Sequence, residues 1–334
     1  MRAVPRLLPI AAAVAALAVL TACSSESSGS DTAKSAASGG SWSFTDDLGK
    51  TVTLDQAPTR VAGINDQVVP LLHYGLEPVA SWGYSSIKDD ARFDDLNTSG
   101  ITQIGTAYGE IDLEKLAAAR PDVIVSEVYP TDAKGTIDKT QPDYGFKDLA
   151  QQKQVEAIAP VITVLLGGDG GDVVDSTTKL AEALGADSAT VDKAKQRYDT
   201  AAAGLKKAVA AGPVTVTALY ADSDGVSVAK AHEDPALDLL ADLGVTFFEP
   251  KPKGYYWGNY SWENAGQIGG DLWLLQQAGY DTAQLKKQPT VADAPALTSG
   301  QVQPWVSAAL DYVSQADYIE QLTGWITDAK PVTG

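Results

Sequence analysis

The chain has 334 residues, with 43 acidic against 25 basic side chains and a net charge of −18. That balance argues against a nucleic-acid partner and against docking on anionic lipid, and it suits plain solubility. Cys23 is the only cysteine, so an intrachain disulfide is excluded and the fold relies on its apolar core. His73 and His232 are the only histidines, which excludes a multi-histidine centre for a bare transition metal.

The N-terminus reads as an export signal. Arg2 and Arg6 give a positive start, and the apolar run from Leu7 to Leu20, broken only by Pro9, is short for a membrane span. It ends in Leu20-Thr21-Ala22-Cys23, which resembles the lipobox of bacterial lipoproteins. That resemblance implies cleavage before Cys23 and a diacylglyceryl group on its sulfur; the alternative is an ordinary signal peptide with an incidental cysteine. Two acyl chains on one cysteine meet the requirement for stable anchoring. Ser24 to Ser41 is rich in Ser, Ala and Gly and buries too little to offset its ordering entropy. It is expected to act as a tether spanning roughly 20–25 Å. Residues 1–22 are thus a signal peptide, and residues 23–41 a lipidated cysteine with its flexible tether.

From Trp42 to Leu54 apolar and polar residues alternate about Asp47-Leu48-Gly49, a hairpin pattern. Strands are then expected at Arg60–Ile64, Pro78–Trp82, Ile101–Gly105, Asp122–Val128 and Val161–Leu166. Helical spacing falls between them at Asp66–Tyr74, Asp112–Ala119 and Phe146–Gln152, and after them at Val173–Leu184. Ser188–Ala211 has no Pro, and no Gly before Gly204, and reads as one long connecting helix. A second series follows: strands at Val214–Ala221, Gly225–Ala229, Val245–Glu249 and Asp271–Leu275, with helices at Pro235–Leu243, Trp262–Gln267 and Tyr312–Ala329. The fold class is therefore α/β. Two lobes, residues 42–186 and 212–330, each have a central, mostly parallel sheet flanked by helices, and one long helix at 187–211 joins them.

The two series share a local pattern. Asp112-Leu113-Glu114 opens a helix and Asp122 begins the strand behind it; Ser261-Trp262-Glu263 and Asp271 repeat this at the same separation. Each glutamate follows an N-cap residue, where it complements the helix dipole by about 0.3–1 kcal/mol. Matched placement in matched lobes also puts the pair on corresponding outer surfaces.

In open α/β sheets ligands bind beyond the carboxyl ends of the strands. Aromatic residues collect there: Trp82, Tyr84, Tyr108, Tyr129, Tyr220, Tyr255, Tyr256, Trp257 and Trp305. They offer rigid apolar area with one polar handle, and a share of them is expected to be core. Arg92 offers a fork of donors to a ligand oxygen, or stands as a solvated loop charge. His232, beside Lys230 and Glu233, is a further rim candidate, and His73 lies on an apolar helix face suited to packing. No G-x-S-x-G nucleophile elbow occurs, and Gly167-Gly168-Asp169-Gly170-Gly171 lacks the Gly-Lys-Ser/Thr of a P-loop. Catalysis is not expected.

Several segments, in order, resemble the periplasmic-binding proteins for siderophores and vitamin B12. They are Pro58-Thr59-Arg60-Val61, the run from Leu71 to Val79, Ile104-Gly105, Asp112-Leu113-Glu114-Lys115-Leu116 and Arg120-Pro121-Asp122-Val123-Ile124. Ile158-Ala159-Pro160-Val161 follows, and Ser261-Trp262-Glu263-Asn264 and the run from Gly300 to Trp305 are similar to the siderophore branch. The resemblance implies a monomeric substrate-binding lipoprotein of an ABC importer, held outside the cytoplasmic membrane by its lipid alone. Its ligand would be a ferric siderophore whose chelator holds the iron, with no metal ligand and no cofactor from the protein. The resemblance also implies that Glu114 and Glu263 meet arginines on the transmembrane subunits. Scarce arginine and excess acid incline the ligand toward hydroxamate chelates. Vitamin B12 or haem carriage is the alternative within the family; an envelope-tethered hydrolase and a structural adhesin are the alternatives outside it.

Overall fold

The structure is a computed structural model that describes residues 40–305 and 308–332. The signal peptide, Cys23 and most of the tether lie outside the described residues.

Strands β1 (Trp42–Thr45) and β2 (Thr51–Leu54) pair antiparallel as the expected hairpin. The first sheet follows, built from β3 (Val61–Ile64), α1 (Asn65–His73), β4 (Ala80–Trp82), β5 (Thr102–Gly105), α2 (Leu113–Ala119), β6 (Val123–Val128), α3 (Leu149–Glu156) and β7 (Val161–Leu165), before α4 (Gly170–Ala183). Its order is β5-β4-β3-β6-β7, parallel throughout. All residues of β3, β4 and β6 are buried, as both faces of a parallel sheet require. The hairpin covers the β7 edge: Asp47 accepts the Leu165 N–H at 2.9 Å and the Ser176 hydroxyl at 2.5 Å, which satisfies an edge donor.

Two helices start away from their expected positions, and a cap explains each. Asp148 accepts the Gln151 N–H, so α3 begins at Leu149 and not at Phe146. Asp169 accepts from Gly171 and Asp172, which starts α4 ahead of Val173.

Helix α5 (Ser188–Ala211) has 24 residues, about 36 Å at the usual rise. Beyond it come β8 (Thr215–Ala221), β9 (Gly225–Ala229), α6 (Pro235–Asp242), β10 (Thr246–Phe247), β11 (Trp257–Ser261), β12 (Leu272–Gln276), α7 (Thr282–Leu285), α8 (Pro295–Thr298), β13 (Val302–Trp305) and α9 (Tyr312–Asp328). The second sheet runs β11-β9-β8-β12-β13. β12 and β13 run parallel to β8, β9 runs antiparallel to both β8 and β11, and β10 lies parallel beside the amino half of β8. The strand expected at Val245–Glu249 is thus shortened to Thr246–Phe247, because β9 takes over the same edge of β8 from Leu219 onward. Trp262–Gln267 forms a 3-10 helix where an α-helix was expected.

The lobes repeat one anchor. Asp122 accepts the backbone N–H groups of Thr59 and Arg60 at 2.8 and 2.9 Å, and Asp271 accepts that of Thr215 at 2.8 Å. In return the Asp122 N–H donates to the Arg60 carbonyl, and the Asp271 N–H to that of Thr215, both at 2.7 Å.

A single apolar core joins both sheets through the helices. It includes Val123 and Ile162, Leu205 of α5, Val216 and Leu274, and Ile319 and Leu322 of α9. Arg197 on α5 pairs with Asp317 and Glu320 on α9. The chain then returns to the first lobe: His73 meets Asp311 at 3.0 Å, and the Tyr312 N–H donates to the Tyr74 hydroxyl at 3.1 Å. A second crossing is tighter. A Cβ at Gly170 would stand 1.9 Å from the Pro235 carbonyl oxygen, so only glycine lets α4 meet α6 there.

Candidate ligand cleft

Six large apolar or aromatic side chains are well exposed among the described residues, and four are tyrosines of one patch: Tyr84, Tyr108, Tyr129 and Tyr144. Ring centroids lie 5.8 Å apart for Tyr84 and Tyr108, 5.3 Å for Tyr84 and Tyr144, and 4.8 Å for Tyr129 and Tyr144. Soluble proteins seldom leave such a patch open without a binding role. Tyr84 and Tyr129 follow β4 and β6, and Tyr108 and Tyr144 come from irregular loops. Close packing fixes those loops: a Cβ at Gly109 would stand 2.8 Å from Lys147 Cβ, and at Gly145 2.6 Å from Ile64 Cδ1. The Gln151 amide closes the junction, donating to the Gly109 carbonyl and accepting the Lys147 N–H.

An acidic network lies beneath the tyrosines. Glu127 on β6 is fully buried and accepts the Gln67 amide at 2.9 Å; the Tyr129 hydroxyl stands 3.5 Å from its other oxygen. Arg92 Nη1 bonds Asp66 at 2.6 Å, while its Nε and Nη2 grip Asp90 at 2.9 and 2.7 Å. Burial above all, with the acidic groups of Glu127 and Asp66 adding to it, pushes the Tyr84, Tyr129 and Tyr144 hydroxyls up from their ordinary value. All three therefore stay neutral phenols.

The facing wall comes from the second lobe. Tyr256 sits at φ 67°, a left-handed conformation that costs a β-carbon-bearing residue about 1–3 kcal/mol. Its N–H donates to Glu233 and its hydroxyl to Asp234 at 2.5 Å, bonds that hold it there. The Lys230 ammonium donates to the Gly254 carbonyl in the same loop. Tyr256 packs edge to face on Trp257 at 5.1 Å, and Trp257 on Trp305 at 6.0 Å. Tyr256 adds to the raised pKa of Tyr129, and Asp132 of the first lobe to that of Tyr255, so groups of the two walls stand near enough to act on each other.

Of the residues marked in the sequence, Tyr84, Tyr108 and Tyr129 come together on one wall, and Tyr256 and Trp257 stand on the other. Trp82 is 1% exposed and packs on Phe146 at 5.6 Å, because its place on β4 turns the indole under the tyrosine loop. Trp305, 4% exposed, backs Trp257 from the core. Arg92 has its donors engaged by two carboxylates. The Tyr220 ring lies beside Gly279, near Asp222 and Asp224. His232 is exposed and pairs with Asp238 at 2.8 Å. Glu114 and Glu263 are exposed in the first turns of α2 and of the 3-10 helix. Tyr144, Glu127, Gln67 and Asp66 were not foreseen. Glu127 had a readable signal, a charge inside the apolar run Val123–Val128; Tyr144 lies in an aperiodic segment that had none.

Two α/β lobes facing each other across an aromatic cleft define a bilobal binding protein. The chain matches the periplasmic binding protein family over residues 61–308 and belongs to that family, whose members are non-enzymatic components of transport. No curated protein matches it. It is similar to the crystal structure of DesE, a ferric-siderophore receptor protein from Streptomyces coelicolor, at 28% identity and a TM-score of 0.76, covering 87% of this chain and 100% of that one. The petrobactin-binding protein YclQ of Bacillus subtilis shares the fold at 16% identity and a TM-score of 0.66, over 86% of this chain and 98% of that one. FhuD of Vibrio cholerae with bound Fe3+–Desferal shares it at 19% identity and a TM-score of 0.59, over 81% and 98%.

Proposed function

We propose that this chain is the substrate-binding component of an ABC importer and that it captures a ferric siderophore through the chelator. The carrying observation is the wall of exposed, protonated tyrosines facing Tyr256 and Trp257. Such a surface stacks on an amphipathic chelate and donates hydrogen bonds to its oxygens. Neutral phenols are poor iron ligands, so the metal stays with its chelator. Hydroxamate chelates suit the cleft better than highly anionic catecholates, since Asp66, Asp132, Glu233 and Asp234 act on its hydroxyls.

The rest of the reading extends from the sequence. Residues 1–22 direct export, Cys23 carries lipid, residues 23–41 tether a monomer outside the membrane, and residues 42–186 and 212–330 are lobes joined by 187–211. Tyr84, Tyr108, Tyr129, Tyr256 and Trp257 contact the ligand, with Trp82 and Trp305 behind them, and Glu114 and Glu263 dock on the permease. The test is a tryptophan-fluorescence titration with ferric hydroxamates, ferric catecholates, cobalamin and haem on one protein stock. Quenching by a ferric hydroxamate, with far less by free ferric ion, is the expected result. Quenching by cobalamin or haem alone replaces the ligand class, and no binding at all removes the carrier reading.

A further inference from the structure

Among the described residues no cation bonds Glu127, and Arg92, which acts on it only at longer range, is committed elsewhere. Every guanidinium nitrogen of Arg92 that makes a bond makes it to Asp66 or Asp90. The groups acting on Glu127 are Asp66 and Gln67 from α1, Arg92 from the turn at residues 90–93, where Asp90 holds it, and Tyr129 beyond its own strand. Tyr144 completes the ring, its N–H donating to the Glu127 carbonyl at 2.8 Å. Asp66 adds a like charge, and burial removes water. A carboxyl in such surroundings takes up a proton. Its Oε2 already accepts from Gln67, which leaves Oε1 to carry that proton, and the neighbour of Oε1 is the Tyr129 hydroxyl.

We propose that Glu127 is a neutral acid whose Oε1–H donates to the Tyr129 oxygen and so frees the Tyr129 O–H to donate to the ligand. The proposal rests on the chelate reading and deepens it. A phenol has one proton. Beside a carboxylate, Tyr129 would commit that proton to a hydrogen bond with Glu127 and turn lone pairs toward the cleft. A chelate saturated with oxygen donors also presents lone pairs, and the two would repel. Beside a neutral acid the polarity reverses, and Tyr129 becomes a donor aimed at an acceptor. Glu127 is thus a positioning residue that acts through Tyr129, and the site is matched to ligands rich in hydrogen-bond-accepting oxygen.

The first measurement needs no ligand. Infrared difference spectra of the apo-protein at neutral pH, wild type against Glu127→Gln, should contain the carbonyl stretch of a protonated carboxylic acid. A carboxylate signature in its place overturns the proposal. Adding a ferric tris-hydroxamate should shift the acid band, and Tyr129→Phe should remove the shift; an unmoved wild-type band also overturns it. Glu127→Gln keeps an N–H for Tyr129 and should hold chelate affinity within about threefold, whereas Glu127→Leu should lose about tenfold or more. Equal affinity in Glu127→Leu and wild type counts against the proposal. If the apo band is present and no chelate binds, the functional reading fails, and the role assigned to Tyr129 fails with it.

Discussion

Tyr129 and Tyr144 meet edge to face at 4.8 Å, and the backbone arranges the meeting, because the Tyr144 N–H bonds the Glu127 carbonyl one pair of residues upstream of Tyr129. The bond acts as an isolated bridge beside β6. It stitches an otherwise irregular loop to the sheet and presents the aromatic wall before any ligand arrives.

Both rings keep more than a third of their surface exposed, at 36% and 37%, so truncation should cost binding and spare the fold. Tyr144→Ala and Tyr129→Ala should each weaken chelate binding by about 1–2 kcal/mol. Fluorescence titration measures this, with far-ultraviolet circular dichroism as the check on folding. A variant that unfolds instead would place its ring in the core.

Arg92 behaves oppositely. Its side chain is 19% exposed and holds Asp66 and Asp90 together. Removing it leaves both carboxylates without their shared guanidinium, and Arg92→Ala should lose roughly 3 kcal/mol of stability in urea denaturation. Arg92→Lys should recover only part, since an ammonium cannot fork across two carboxylates. Weaker chelate binding with unchanged stability would return Arg92 to the ligand.

Gly170→Ala tests the crossing of α4 and α6. The new methyl group would overlap the Pro235 carbonyl, and backbone must move to admit it. A loss of about 1–3 kcal/mol is expected, the usual cost of overpacking. Chelate affinity should change with it, because the contact joins the lobes that wall the cleft. Unaltered stability and affinity would mean that the lobes already part at this point.

Glu114→Ala and Glu263→Ala should leave chelate affinity nearly unchanged and lower uptake of labelled iron chelate in cells. Both side chains are exposed beside the matched anchors Asp122 and Asp271. Normal uptake by both variants reduces them to helix-end charges.

His232 carries a small pH dependence. The hydrogen bond to Asp238 is the main cause of its raised pKa, with the charges of Asp238, Glu249 and Asp242 behind it and a little desolvation opposing. A raised folded pKa stabilises the fold at pH below the unfolded value of 6.5, and the benefit fades as pH rises through the folded value. The side chain is 69% exposed, so solvent screening keeps the effect under about 1 kcal/mol. His232→Ala should lower Tm more at about pH 5.5 than at about pH 8.5 in low salt. Equal shifts at both would show that the pair contributes nothing.

The periodic parts of the chain were legible. Gly225–Ala229 and Ser188–Ala211 appear with the expected bounds, and most strands of the first lobe within two residues of theirs. β11 was not read, since Gly258 and Asn259 interrupt its alternation and its pairing with β9 depends on distant residues. The cleft was half legible. A position beyond a strand identified Tyr84, Tyr108 and Tyr129, yet nothing local distinguishes an indole turned inward at Trp82 from a phenol turned outward at Tyr84. Arg92 looked like a free donor because Asp66, which claims it, stands a helix and a strand away in sequence.

Helix α9 completes a core that β3, β6 and β7 begin. Neither lobe is therefore a cassette. Transplanting the second lobe onto a foreign first lobe would carry along Asp311 and Tyr312 without His73 and Tyr74 to receive them. New ligand specificity in this scaffold is reached more readily by rewriting loop residues such as Tyr108, Tyr144 and Tyr255 than by recombining halves.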